Sequence, residues 1–334
     1  MIALMLAGVT GHFAAWLGKT FGLLDFPDLS GGRKRHEQVT PLVGGAPLAA
    51  ATTSVAVAVA LLLAEAGPAQ QMHLLWFGAA VGVMFLIGLA DDRYALGPKI
   101  RLILAASMLL VVIIFAPDFQ LSFLRFSGQS DLLLLGAWGE AFTLLCLAGL
   151  LNSVNMADGK NGLVISLGLI WSMVLWFRLP PAMLPVIAAS ATALAVLLWF
   201  NIRGRLFLGD GGSYAVSALY GLLAIYAYNH DFAVIRADDI AVMFAVPVFD
   251  TIRLMAVRAL QGRSPLEGDR DHLHHHLHRR WGWPRGLIVY VGLVAVPNIG
   301  ALLVAGTGLA WLLLSFAGYA VVLRIGARGA AAVA

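Results

Sequence analysis

Charge is scarce in this sequence. Only 12% of its 334 residues are Asp, Glu, Lys or Arg, against 60% hydrophobic, and the mean hydropathy is +0.85. Soluble domains carry about one quarter charged residues, so an ordinary soluble globule is excluded and an integral membrane protein is indicated. Cysteine is almost lacking. Cys146 is the single one, so neither an intrachain disulfide nor a cysteine metal cluster can form. It lies in an apolar run and reads as a small core or lipid-facing residue. The basic stretch that precedes the apolar core of a cleavable signal peptide is missing, so the first segment reads as an anchor. No internal repeat is visible, and no polar stretch is long enough for a soluble domain. The chain therefore reads as one transmembrane domain over 1–334.

What is present is a series of apolar runs. A spanning helix needs roughly 20 such residues. Eleven candidates lie near 2–22, 46–64, 72–90, 100–116, 132–151, 163–178, 182–200, 212–228, 238–258, 286–304 and 308–324. The fold class expected is thus an all-α polytopic membrane protein. Lysine and arginine orient it. The loops after the odd-numbered spans and the C-terminal tail hold nearly all of the 22 basic residues, whereas the opposite side holds Arg125, Arg178 and Arg236. The positive-inside rule then places the N-terminus outside, the C-terminus in the cytoplasm, and the polar loops on the cytoplasmic face. Chemistry confined to one face reads as a one-sided site, not as a pathway across the bilayer.

Residues 85–101, FLIGLADDRYALGPKIR, are the focus. An apolar helix ends there in Asp91 and Asp92. Carboxylates at a helix C-terminus meet partial negative charge and need compensation. Arg93, Lys99 and Arg101 can supply it, as can a divalent metal. The first cytoplasmic loop carries Arg33, Lys34, Arg35 and His36 ahead of Thr40-Pro41 and Gly44-Gly45. This cationic run suits a lipid headgroup or a phosphate ligand.

In LLNSVNMADGKNGL, the residues Asn152, Asn155, Asp158 and Asn161 fall three apart, which on a helical turn aligns them in one stripe. The alternatives are a turn at Asp158-Gly159 and an N-cap at Asn161. In NIRGRLFLGDGGS, Asp210 opens a span. It reads either as an N-cap or as an acid beside a glycine-lined anion site, where magnesium would lie between acid and phosphate. Asp250 and Arg253, three apart inside a span, can pair with each other. The last loop crowds His272, His274, His275, His276 and His278 beside arginines. His272 and His276 have zinc-ligand spacing without a third ligand. Arginine, histidine and backbone amides suit diphosphate and sugar hydroxyls better.

Together these loops resemble the polyprenyl-phosphate N-acetylhexosamine-1-phosphate transferases, the MraY/WecA family. The matching stretches are RKRHEQVTPLVGG, GLADDRYALGPKIR, LNSVNMADGKNGL, FLGDGGS and DRDHLHHHL, in family order over residues 33 to 277. RKRH before PLVGG and the SPLEGDRDHLHHHL stretch are similar to the WecA-like branch, which uses UDP-N-acetylglucosamine. The resemblance implies that undecaprenyl phosphate attacks the β-phosphorus of the UDP-sugar and releases UMP. This is the first membrane step of a cell-envelope polysaccharide. It implies catalytic roles for Asp91, Asp92 and Asp158, with magnesium (manganese as substitute) on Asp210 and Asp91. It implies substrate contacts from Arg33, Lys34, His36, Lys99, Asn152, Asn155, Asn161, Arg270, His272, His274 and His275. It further implies a multi-pass protein of the bacterial inner membrane, in contact with membrane lipid and compatible with a homodimer. No nucleic-acid partner is expected. Two departures stand out. Relatives often carry an aspartate where this chain has Asn161, and the first loop carries extra residues near Ser30-Gly31-Gly32.

The residues agree with such chemistry. Phosphoryl transfer needs positioning and charge neutralisation more than a strong base. Direct displacement is favoured here, and a covalent aspartyl-phosphate route is the alternative. Another UDP-N-acetylhexosamine remains an alternative donor. A transporter of lipid-linked sugars is the reading from another class, although transporters place charges at the midplane and are built from repeats.

Overall fold

The computed structural model describes residues 1–27, 38–62, 67–264 and 271–331. Among the described residues there are thirteen α-helices and two short antiparallel strand pairs. The helices are α1 (Ile2–His12), α2 (Ala14–Phe21), α3 (Gly45–Leu62), α4 (Pro68–Tyr94), α5 (Pro98–Phe115), α6 (Gly139–Ala157) and α7 (Leu163–Trp176). They continue with α8 (Leu184–Ile202), α9 (Gly209–His230), α10 (Ala237–Leu260), α11 (Leu273–Trp281), α12 (Arg285–Leu303) and α13 (Gly308–Ala331). Strand β1 (Leu24–Asp25) pairs with β2 (Thr40–Pro41), and β3 (Phe123–Leu124) with β4 (Leu133–Leu134). The chain is an all-α, multi-pass membrane protein.

A helix lies on each of the eleven apolar runs, but not all are alike. Among the described residues, eight are long and apolar enough to cross a bilayer, or nine if the bent first pair is one span. The first run is broken: α1 and α2 meet at Phe13 with a bend of 74°. Helix α7 has 14 residues, about 21 Å of rise against a ~30 Å hydrocarbon core. Helix α9 is the central one, and nearly every residue from Gly209 to Tyr228 is buried. It contacts protein instead of lipid, so it can carry Ser213, Tyr214, Ser217, Tyr220 and Tyr226. The outer helices do the reverse. Helix α5 exposes Ile100, Ile103, Leu104, Ile114 and Phe115, an apolar face for lipid to cover.

Several polar groups between helices are paired. Ser172 meets Tyr220 at 2.6 Å, and Thr52 meets Ser190 at 3.1 Å; such interhelical bonds each contribute about 0.6 kcal/mol. Pro247 lies inside α10 and has no N–H for the carbonyl four residues earlier. That carbonyl, Met243 O, accepts from Trp171 Nε1 at 2.7 Å instead.

Helices α4 and α9 pack antiparallel. At one end Asp92 meets the start of α9; at the other, Gln70 and His73 share a 380 Å³ cavity with Tyr226 and His230. The site end needs a close approach of backbones. A Cβ on Gly88 of α4 would collide with the Asp210 carbonyl. Helix α4 stops at Ala95, which is left-handed at φ 51, and Gly97-Pro98 then starts α5 with proline in its first turn.

Candidate active site

The two acids that end α4 are compensated by different means. Asp91 is buried and pairs with Arg101 Nη1 at 2.5 Å. Arg101 sits in the first turn of α5, where a cation is as unfavourable as an acid at the end of α4. The pair cancels both misplacements. Asp92 instead accepts from the backbone amides of Asp210, at 3.0 Å, and Gly211, at 3.1 Å. It thus caps α9 from another helix, 118 residues away in sequence. The N-cap reading of Asp210 is corrected accordingly: Asp210 lies inside the first turn of α9 and makes no cap bond, because Asp92 fills that role. Gly209 has φ +76, and a Cβ there would lie 2.6 Å from Asp92 Oδ2. Only glycine leaves room for this cap.

Asp210 Oδ1 accepts from Asn155 Nδ2 at 2.7 Å, and the same amide group reaches Ser213 Oγ at 3.1 Å. Asp210 Oδ2 stands 3.6 Å from Arg101 Nη1, so one guanidinium nitrogen is shared by Asp91 and Asp210. The approach to Asp210 is stitched to the first loop. Phe207 N donates to Pro41 O at 2.8 Å, and Gly44 N to Phe207 O at 3.0 Å.

The amide stripe predicted from 152 to 161 is only partly helical. Helix α6 ends at Ala157 with Asp158 as its C-cap, so Asp158 and Asn161 lie in the following turn. Gly162, not Asn161, precedes α7 as N-cap, with φ 82. Asn161 O accepts from Trp283 Nε1 at 2.9 Å, which ties this loop to the last one.

An 850 Å³ cavity opens where these loops meet, within the ~300–1,000 Å³ range of ligand pockets. Asp25, Asp92, Asp158 and Asp210 supply its acids; Lys160, His275, His278 and Arg279 supply its basic groups; Asn161, Asn201 and Trp283 complete the polar wall. Burial and the Asp92 charge raise the Asp158 carboxyl to about 7. Crowded acids beside basic groups are what a diphosphate with a divalent ion would need.

The other expected residues fall behind or outside this wall. Asn155 reaches the cavity through Asp210. Asn152 is half-buried on α6, and Lys99 is exposed on α5; neither lines the cavity. His272 Nδ1 donates to Asp250 Oδ2 at 3.0 Å, and Leu273 N to the same oxygen at 3.1 Å. His274 is buried against Gly159; burial and neighbouring His275 keep it well below the usual histidine range. His275 does line the cavity. Arg33, Lys34, His36 and Arg270 lie outside the described residues. Asp250 and Arg253 pair at 3.1 Å as the spacing predicts. His272 and His276 point to different partners, so their zinc-type spacing is not used. His278 belongs to the histidine run noted from sequence, without an assigned role there. Arg279 directly follows that run, whereas nothing in sequence marks Trp283.

No group of three or more His, Cys, Asp or Glu with metal-ligand geometry occurs among the described residues. Magnesium takes one or two carboxylates and completes its shell with water and phosphate oxygens. Asp210, which lines the cavity, fits that requirement; Asp91 stands behind it, already paired with Arg101.

A helical membrane protein with acids, bases and amides from five loops gathered in one cavity has the kind of site a membrane phosphotransferase needs. Known proteins agree. Residues 74–228 match glycosyl transferase family 4. An undecaprenyl-phosphate alpha-N-acetylglucosaminyl 1-phosphate transferase of Escherichia coli is 30% identical over 308 residues, covering 87% of this chain and 79% of the relative. Its counterpart in Salmonella typhi is 28% identical over 290 residues, covering 82% and 74%. A decaprenyl-phosphate N-acetylglucosaminephosphotransferase of Mycolicibacterium smegmatis is 28% identical over 344 residues, covering 88% and 80%. The chain belongs to this family of polyprenyl-phosphate N-acetylhexosamine-1-phosphate transferases, in its WecA-like branch, and is an enzyme that transfers a sugar phosphate.

Proposed function

We propose that this enzyme transfers N-acetylglucosamine 1-phosphate from UDP-N-acetylglucosamine to undecaprenyl phosphate, on the cytoplasmic face of a bacterial inner membrane. The chain acts as one transmembrane domain. The observation that carries the reading is the convergence of Asp92, Asp158 and Asp210 with Lys160, His275 and Arg279 in one cavity, in a chain whose named relatives act on polyprenyl phosphate.

A lipid phosphate oxygen attacks the β-phosphorus of the donor. A new oxygen–phosphorus bond forms, the bond from the β-phosphorus to the UMP oxygen breaks, and UMP leaves. The lipid phosphate ionises near neutral pH, so orientation matters more than base strength. Lys160, His275 and Arg279 neutralise phosphate charge. Asp92 holds the start of α9, and with it Asp210, in place. Asp158 takes up or releases a proton near neutral pH at its carboxyl oxygen. Asp210, with Asp91, would hold magnesium, which would supply charge neutralisation at the diphosphate. Arg33, Lys34, His36 and Arg270 are assigned to substrate phosphates on the strength of their motifs.

Purified protein in detergent, given undecaprenyl phosphate, UDP-N-acetylglucosamine and magnesium, should release UMP in a lipid-dependent and chelator-sensitive way. Release from a different UDP-sugar alone would move the specificity. A phosphorylated enzyme trapped with donor and no lipid would replace direct displacement by the covalent route.

A further inference from the structure

A chain of bonded polar side chains runs from the membrane-embedded helices to the cavity wall. Asp250 accepts from Tyr319 OH at 2.9 Å and from Arg253 Nη2 at 3.1 Å. Arg253 also donates to Tyr319 OH, at 2.8 Å, and through Nη1 to Asp271 Oδ2, at 2.8 Å. Its Nη2 reaches the Asp271 carbonyl as well. Asp271 Oδ1 meets His276 Nε2 at 2.7 Å, and His276 Nδ1 meets Arg279 Nη2 at 2.9 Å. Arg279 lines the cavity.

The last two bonds settle the imidazole tautomer. A guanidinium has donors only, so Nδ1 is the acceptor and the proton sits on Nε2, donated to Asp271. The carboxylate thus dictates which nitrogen faces Arg279. Hydrogen bonds from His276 and Arg253 hold the Asp271 carboxyl below the usual range, so it stays an acceptor. The histidine is buried and Arg279 is exposed. A long, exposed side chain is therefore tethered at one nitrogen by a rigid, buried ring. Its remaining donors are left for the cavity, where a planar fork matches phosphate oxygens.

We propose that His276, its tautomer set by Asp271, is a positioning residue that aims Arg279 at the diphosphate of the sugar-nucleotide donor. The proposal rests on the donor reading given above. Two functions are thereby separated within the histidine run: His272 fastens α11 to α10 through Asp250, and His276 directs a substrate contact.

The test compares wild type with Arg279→Ala, His276→Leu, His276→Asn, His276→Gln and the Arg279→Ala/His276→Leu double variant. UMP release is measured against each substrate, and UDP affinity by calorimetry. The loss of one charge-assisted phosphate contact predicts a donor KM raised about tenfold in Arg279→Ala. His276→Leu should match it, with the acceptor KM unchanged. His276→Asn places its Oδ1 where Nδ1 stood and should retain most of the wild-type donor KM. His276→Gln keeps a polar side chain but moves the acceptor, and should behave like His276→Leu; it serves if the leucine variant fails to fold. The double variant should be no worse than Arg279→Ala. A donor KM at the wild-type level in folded His276→Gln, or additive losses in the double variant, would overturn the relay while leaving the reaction intact. If wild type releases no UMP from this donor, the donor reading has failed. UDP affinity then decides the relay: weakening in both Arg279→Ala and His276→Gln supports it, and unchanged affinity refutes it.

Discussion

Arg101→Met should unmask what Asp91 does. The Asp91 side chain is 4% exposed and its partner 26%, at 2.5 Å. Removing the guanidinium strands a buried carboxylate at the C-terminal end of α4, where the helix adds partial negative charge. Breaking one side of a buried pair costs about 3–5 kcal/mol, and because water reaches Arg101 the low end, about 3 kcal/mol, is expected. Unfolding entropy of about 2.1 cal/mol/K per residue gives roughly 0.7 kcal/mol/K for the 334 residues, so the melting temperature in detergent should fall by about 4 °C. The double variant Asp91→Asn/Arg101→Met removes both charges and should regain most of that loss. Assayed for UMP release, it should nevertheless stay inactive, because Asp91 is assigned to the magnesium beside Asp210. A melting temperature unchanged by Arg101→Met, or no recovery in the double variant, would refute the pairing argument. Recovery of both stability and activity would confine Asp91 to a structural role.

Two further expectations concern the acids around the cavity. Asp210→Asn keeps an acceptor oxygen for Asn155 but loses the charge that faces Arg101 and the metal; UMP release should fall at least about a hundredfold and excess magnesium should not restore it, with melting near wild type. The Asp158 carboxyl is raised to about 7, so the folded protein holds a proton that the unfolded chain loses near 3.8. Its contribution therefore favours folding at low pH and is lost as pH rises through about 7. Magnesium favours the ionised form, so the melting-temperature gain from magnesium should grow between about pH 6 and 8. Asp158→Asn should flatten that growth; an unchanged pH dependence would remove Asp158 from the metal's surroundings.

The acid pair shows how far local reasoning reaches. Two carboxylates at the end of an apolar helix demand compensation whatever the fold, and Arg101 was among the nearby cations able to give it. The pairing of Asp250 with Arg253 follows the same logic, since residues three apart on a helix share a face. The second answer, that Asp92 caps α9, depends on which helix start lies opposite the end of α4. Helical periodicity within either segment carries no information about that. The same holds for the histidines. Five in seven positions announce a polar site, but whether a ring faces the cavity, as in His275, or fastens a helix, as in His272, depends on where Asp250 and Asp271 stand.

By itself, then, the sequence determined the membrane class and most of the helical segments, and it marked the polar loops and the acids that meet at the cavity, because hydropathy, helix-end electrostatics and backbone chemistry act over a few residues. Tertiary structure alone decided the bend at Phe13, the burial of α9, the cap made by Asp92, and the arrival of Arg279 and Trp283 in the cavity. These depend on contacts between segments far apart in the chain, such as Asn161 with Trp283 across 122 positions, and no local pattern encodes which distant ends meet.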